Sequence, residues 1–225
     1  MLFFQENSLL LLLGLATIGT VLWLLQFRRR LQMCWYTALL LSLLHVAYGV
    51  FCVKIFAILE GNQPGSGAMS LFGAVFLMPL GYYLGARATK RSVAEVFDIF
   101  AICMIFTLLC ARVNCLFAGC CLGRQISSGT LLRWPTREAE IVFYLIFLGL
   151  QAPRVLRGES RGMVYPLYLI SYGCVRFVLE LFRSSATNAL FHLSHVWALI
   201  ALAIGTAFYV ELKRRNEQRT QRKHR

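Results

Sequence analysis

The segment ARVNCLFAGCCLGR, residues 111–124, places two arginines, three cysteines and two glycines at the end of a long apolar run. A guanidinium there can grip phosphate or carboxylate through two parallel N–H donors without losing its charge. An ionisable side chain inside an apolar span must face protein or water rather than lipid, so Arg112 marks a functional site by default. The thiols of Cys115, Cys120 and Cys121 add nucleophiles, soft metal ligands or a disulfide to the same stretch. A second cluster lies in YPLYLISYGCVRFVLELFRSS, residues 165–185. On a helix Tyr172, Arg176 and Glu180 recur at i, i+4 and i+8, with Tyr165, Tyr168 and Arg183 near the same face. That polar and aromatic stripe is expected to point into a bundle. At its simplest, Arg176 and Glu180 neutralise each other as an i,i+4 pair.

Composition says what must position these groups. The 225 residues are 58% hydrophobic and only 15% charged, with a mean hydropathy of +0.64, too little polar surface for an ordinary globular protein. An all-α integral membrane protein follows. Windows of about 20 apolar residues predict a bundle of about seven transmembrane helices at 8–27, 35–59, 68–86, 93–117, 138–151, 163–182 and 193–210. The first run lacks a basic leader and a small-residue cleavage site, and Arg28, Arg29 and Arg30 follow it as a stop-transfer would, so it is read as a retained span. Residues 1–212 form a single polytopic membrane domain, and 213–225 a basic cytoplasmic tail held against anionic lipid.

The net charge of +13 does not indicate nucleic acid, because the basic residues fall in short clusters between apolar runs, where phospholipid headgroups are the nearer partner. Those clusters also orient the chain. Arg28 to Arg30, then Arg87, Lys90 and Arg91, then Arg154, Arg157 and Arg161, and finally the tail are all cytoplasmic if the N-terminus lies outside. Arg112, Arg124, Arg133 and Arg137 then fall on the outer side, against the rule. Binding a phosphate or another anion is the simplest reason to keep them there, which makes the active face extracytoplasmic.

Cys115, Cys120 and Cys121 follow C-x-x-x-x-C-C spacing at that face, where oxidation is permitted. Cys115 can pair with either neighbour, whereas the C-x-x-C spacing usual for thiol oxidoreductases is missing. No fourth ligand lies nearby in sequence, so neither a metal centre nor a cofactor is expected. His45, His192 and His195 read as bonded packing residues rather than bases, and Cys34, Cys52, Cys103, Cys110 and Cys174 as small apolar fillers.

Four segments together resemble the prolipoprotein diacylglyceryl transferase family. They are MSLFGAV at 69–75, ARVNCLFAGCCLGR at 111–124, PTREAE at 135–140 and YGCVRFVLELFR at 172–183; the last is the most specific. The resemblance implies an enzyme of the bacterial inner membrane that moves the diacylglyceryl group of phosphatidylglycerol onto the thiol of a lipobox-containing prolipoprotein, releasing glycerol phosphate. It implies that Arg112 and Arg176 hold the phospholipid phosphate, that Glu140 and Glu180 orient them, and that Gly119, Gly123, Arg124, Tyr172 and Arg183 line the headgroup site. Gly73, Gly81 and Gly85 read instead as helix-packing positions.

This chain departs from the family pattern in its reactive groups. Phe72-Gly73 stands where the family has His-Gly, Cys115, Ala118 and Cys120 occupy polar positions of the signature, and Trp134 replaces a histidine. Two other readings therefore stand beside the transferase: a membrane thiol–disulfide redox protein using Cys115, Cys120 and Cys121, and a homologue that binds lipid without transforming it.

Overall fold

A computed structural model describes residues 2–65, 67–126, 132–183 and 192–223. Among these described residues are seven α-helices: α1 (Leu2–Gln26), α2 (Trp35–Leu59), α3 (Leu71–Ala88), α4 (Val93–Phe117), α5 (Thr136–Arg157), α6 (Val164–Leu181) and α7 (Leu193–Lys223). All seven are long and apolar enough to cross a membrane. Their outward faces leave Leu10, Leu22, Leu40, Leu84, Ile146 and Leu150 more than half exposed, which is stable only where the surrounding solvent is itself hydrocarbon.

Helices α2 and α4 begin and end where the apolar windows do. Helix α5 does not stop at Gln151: it runs through Pro153 to Arg157 before a left-handed Gly158 ends it. Glu138 in its first turn and Arg154 and Arg157 in its last complement the helix dipole. Helix α7 continues without a break through the basic segment beyond residue 212, so the expected tail shares one helix with the last span; His224 and Arg225 lie outside the described residues.

The connections sort into two ends. At one, Arg30 pairs with Glu95 at 3.0 Å, Arg91 donates to Gln32, and buried Asp98 accepts the backbone N–H groups of Gly162 (2.6 Å) and Val164 (3.1 Å). That carboxylate thus satisfies donors at the start of α6. At the other end Ser8 donates to Asn114, and a short antiparallel contact of Gly123 with Arg183 ties the loop after α4 to the end of α6. Successive helices therefore alternate in direction.

Small residues let the helices close up, as expected where lipid offers no hydrophobic drive between them. A Cβ on Gly73 would stand 2.2 Å from the Cys52 carbonyl oxygen, and one on Gly173 2.8 Å from that of Ala198. Gly81 meets the Tyr48 ring, but nothing lies within 4 Å of a Cβ at Gly85, so packing does not explain that glycine.

Candidate active site

Helices α4, α5 and α6 each deliver one charged side chain to a single buried point. Arg112 projects from the last turns of α4, Glu140 from the first turns of α5, and Arg176 from the middle of α6. Glu140 Oε1 accepts from Arg112 Nη2 at 3.1 Å and from Arg176 Nη1 at 3.0 Å, while its Oε2 lies 2.7 Å from Arg112 Nε. Arg176 Nη2 reaches Glu180 Oε2 at 2.9 Å, and Arg183 Nη1 approaches the same oxygen at 3.7 Å. The pairing of Arg176 with Glu180 is thus one link in a relay that crosses three helices. Arg112, Glu140, Arg176 and Glu180 are each no more than 7% exposed.

Three guanidinium groups face two carboxylates in this relay, one positive charge in excess, which the nearby carboxyl of Glu60 offsets when ionised. Neither Arg112 Nε nor Arg176 Nε directs its N–H at an acceptor, Glu180 Oε2 receives no directed hydrogen bond, and the Tyr172 hydroxyl is buried without an aligned partner. The 2.7 Å approach of Arg112 Nε to Glu140 is a contact of charges and not a directed hydrogen bond. Buried donors without directed acceptors are costly, and guanidinium groups so placed have the chemistry to meet an oxyanion.

Phe72 packs against this group. Its ring lies 5.7 Å from the Arg176 guanidinium carbon and edge-on to Tyr172 at 5.8 Å. An apolar ring there screens one side of the relay from water and carries no titratable nitrogen.

The remaining expected residues divide. Arg183 reaches the relay and also donates from Nη2 to Cys121 Sγ at 3.1 Å. Arg124 does not join: its backbone bonds to Phe182 and Trp134, and its side chain is exposed. Gly119 takes φ 65° to turn the chain out of α4, a conformation that costs glycine little. A Cβ on Gly123 would stand 2.0 Å from the Trp134 carbonyl oxygen. Both glycines therefore have local backbone reasons to be glycine. His45 sits between Tyr82 and Thr107, and buried His195 Nδ1 accepts from the His192 backbone; both are bonded packing residues.

Glu60, at the C-cap of α2, was not singled out by sequence. Burial pushes its carboxyl above the ordinary value, opposed by a hydrogen bond from Ser70 and by the positive charge of Arg176. No cation lies near it in sequence, so only the fold relates it to the relay. Cys121 is shifted the other way, held below the usual thiol value first by its hydrogen bond with Cys115 and then by Arg183.

Seven apolar spans around a buried cluster of ion pairs at one end of the bundle define a polytopic membrane protein. Residues 34–211 match the family of prolipoprotein diacylglyceryl transferases, and the chain belongs to that family. It is similar to three phosphatidylglycerol–prolipoprotein diacylglyceryl transferases from strains of Dehalococcoides mccartyi, each 21% identical over 92% of this chain and 90% of the relative. The class of enzyme is therefore a membrane transferase of lipoprotein biosynthesis.

Proposed function

We propose that the chain transfers the diacylglyceryl group of phosphatidylglycerol to the thiol of a lipobox cysteine. The observation that carries this is the excess positive charge of the relay joined to the unaligned N–H groups of Arg112 and Arg176. A phospholipid phosphodiester offers what those donors lack. In the reaction a thiolate attacks the glyceryl carbon, the C–O bond to phosphorus breaks, and its electron pair leaves on the phosphate oxygen of glycerol phosphate. Negative charge grows on that oxygen in the transition state, so fixed guanidinium groups bound there lower the barrier. Glu140 and Glu180 hold the two arginines in position, and Tyr172, Arg183, Gly119 and Gly123 border the headgroup. Arg124, exposed at the rim, meets headgroups before they enter.

An apolar cavity of about 150 Å³ beside Ala111 and Asn114, lined by Leu12, Val50, Leu71 and Leu108, suits part of an acyl chain next to this site. Charge placement supports the N-terminus outside, the C-terminus cytoplasmic and the site at the outer face of a bacterial inner membrane.

The test incubates purified protein with glyceryl-labelled phosphatidylglycerol and a lipobox peptide. A thioether-linked lipopeptide is expected from wild type, with loss of at least about 100-fold for Arg112→Ala and Arg176→Ala, as for removal of a charge-stabilising donor elsewhere. No lipopeptide from wild type, with lipid binding unaffected by either substitution, refutes the proposal.

A further inference from the structure

The loop after α4 reverses at two residues with left-handed backbone, Gly119 (φ 65°) and Cys121 (φ 57°). Non-glycine residues rarely adopt that conformation, and here it returns Cys121 toward the helix end. As a result the sulfurs of Cys115, Cys120 and Cys121 all lie within 4.8 Å of one another, and none is in a disulfide. Three thiolates at the usual Zn–S distance of roughly 2.3 Å stand about 3.8 Å apart, so the sulfurs need close in by only about 1 Å. The spacing groups the three thiols along the chain, and the backbone turn brings all three sulfurs together.

Two fixed cations brace the group. Arg183 donates to Cys121 Sγ at 3.1 Å, and Arg137 Nη1 donates to the carbonyls of Cys115 (3.2 Å) and Cys120 (3.4 Å). Such outer donors orient metal ligands in general, and their charge offsets that of three thiolates around a divalent ion.

We propose that Cys115, Cys120 and Cys121 form a trithiolate site for Zn²⁺ whose fourth position takes the acceptor thiol. Reactive zinc sites keep three protein ligands and one open position, whereas structural sites close all four. The metal site stands on the sulfur geometry; the acceptor's part in it rests on the transferase reading. Cys115 follows Arg112 by three residues on α4, about 4.5 Å along the axis, and Arg183 touches both Cys121 and Glu180. A thiol bound at the metal would thus lie beside the relay. On coordination the thiol releases its proton to solvent and binds as thiolate. Its lone pair then forms the S–C bond while the C–O bond breaks toward phosphate, and zinc keeps its oxidation state throughout. Phe72, which packs on Arg176 and Tyr172, has no group that could take that proton.

The experiment titrates Co²⁺, as a spectroscopic probe for Zn²⁺, into the full chain purified in detergent with chelator removed. One Co²⁺ per chain with a thiolate-to-cobalt charge-transfer band is expected. Cys115→Ser, Cys120→Ser and Cys121→Ser should each weaken binding by more than about 100-fold, beyond the loss of an outer-shell partner, and Cys174→Ser should not. A cysteine-containing lipobox peptide should alter the cobalt d–d bands, and its serine analogue should not. Binding without the thiolate band, or a disulfide among the three residues on thiol counting, overturns the site; unaltered d–d bands overturn the acceptor role. Lipid transfer is measured in parallel with Zn²⁺ and with chelator. Zn²⁺-dependent transfer supports the proposal, and transfer undiminished by chelation overturns it while leaving the transferase reading intact. Expected cobalt spectra with no transfer under any condition remove the transferase reading and leave the metal site.

Discussion

Glu140 joins the two arginines, so neutralising it is the sharpest test of the relay. In Glu140→Gln the carboxylate that accepts from Arg112 at 3.1 Å and from Arg176 at 3.0 Å becomes a neutral amide. Arg176 keeps Glu180 at 2.9 Å. Every ion pair of Arg112 among the described residues is with Glu140, so its guanidinium, with 5% of the side chain exposed, is left without a counter-ion. Removing one member of a buried pair costs about 3–5 kcal/mol. At roughly 2–4 °C per kcal/mol for a chain of this size, the unfolding midpoint should fall by about 6–20 °C. Heating in detergent with a fluorogenic maleimide measures this, because Cys52, Cys103 and Cys110 are buried and label only on opening. Adding Arg112→Met removes the orphaned charge, so the double variant should recover most of the loss, with a coupling of about 1–3 kcal/mol. A shift below about 2 °C for the single variant, or simple additivity in the double, would refute the claim that these charges act as one unit.

Glu60 gives the relay a pH dependence. Because burial raises its carboxyl value, the folded protein holds that proton to higher pH than the unfolded chain does. Stability therefore falls as pH rises above the ordinary carboxylate value through the raised one, and ionised Glu60 also cancels the positive charge that draws an anion. Phospholipid binding should weaken over that window in wild type and stay flatter in Glu60→Gln; identical profiles in a vesicle-binding assay would remove Glu60 from the site. Gly73→Ala should cost about 1–3 kcal/mol, because its methyl group would meet the Cys52 carbonyl oxygen at 2.2 Å and force α2 from α3. Gly14→Ala, with nothing within 4 Å, should be neutral or mildly stabilising by the same maleimide assay. Asp98→Ala should cost about 2–5 kcal/mol by leaving two buried N–H groups at the start of α6 without acceptors; equal hydrogen-exchange protection of Gly162 and Val164 in both proteins would contradict that.

The spans were legible because lipid demands length and apolarity together, and α2 and α4 are bounded by polar loops that satisfy neither. Helix α5 outlasts its apolar window because Pro153, just before the last turn, forfeits only one hydrogen bond while Arg154 and Arg157 favour that terminus. Helix α7 outlasts its apolar window for another reason: hydropathy ends near Val210, but Glu, Lys, Arg and Gln are good helix formers and continue it. The i, i+4, i+8 stripe of α6 was legible from period alone. That Glu140 bridges Arg112 and Arg176 was not, since partners 28 and 36 residues away leave no local pattern. The three cysteines were legible as a local C-x-x-x-x-C-C pattern, but that all three sulfurs meet depends on the left-handed backbone at Gly119 and Cys121.

A relay of five charged groups inside a helical bundle is a poor way to gain stability. Well-packed apolar residues of similar volume commonly do as well or better than a buried ion pair, and in a membrane interior each charge is dearer still. Function explains such a cluster best where the charges within it do not cancel, and here three guanidinium groups face two carboxylates, with Glu60 offsetting the excess only when ionised. If the relay only joined helices, a third guanidinium would add cost without a partner of its own, since Arg183 shares Glu180 with Arg176 at the longer distance of 3.7 Å. Arg183 does have another contact, the sulfur of Cys121. The surplus cation thus stands between the buried relay and the thiols, where the charge of a departing phosphate and that of an incoming thiolate would be balanced by one side chain.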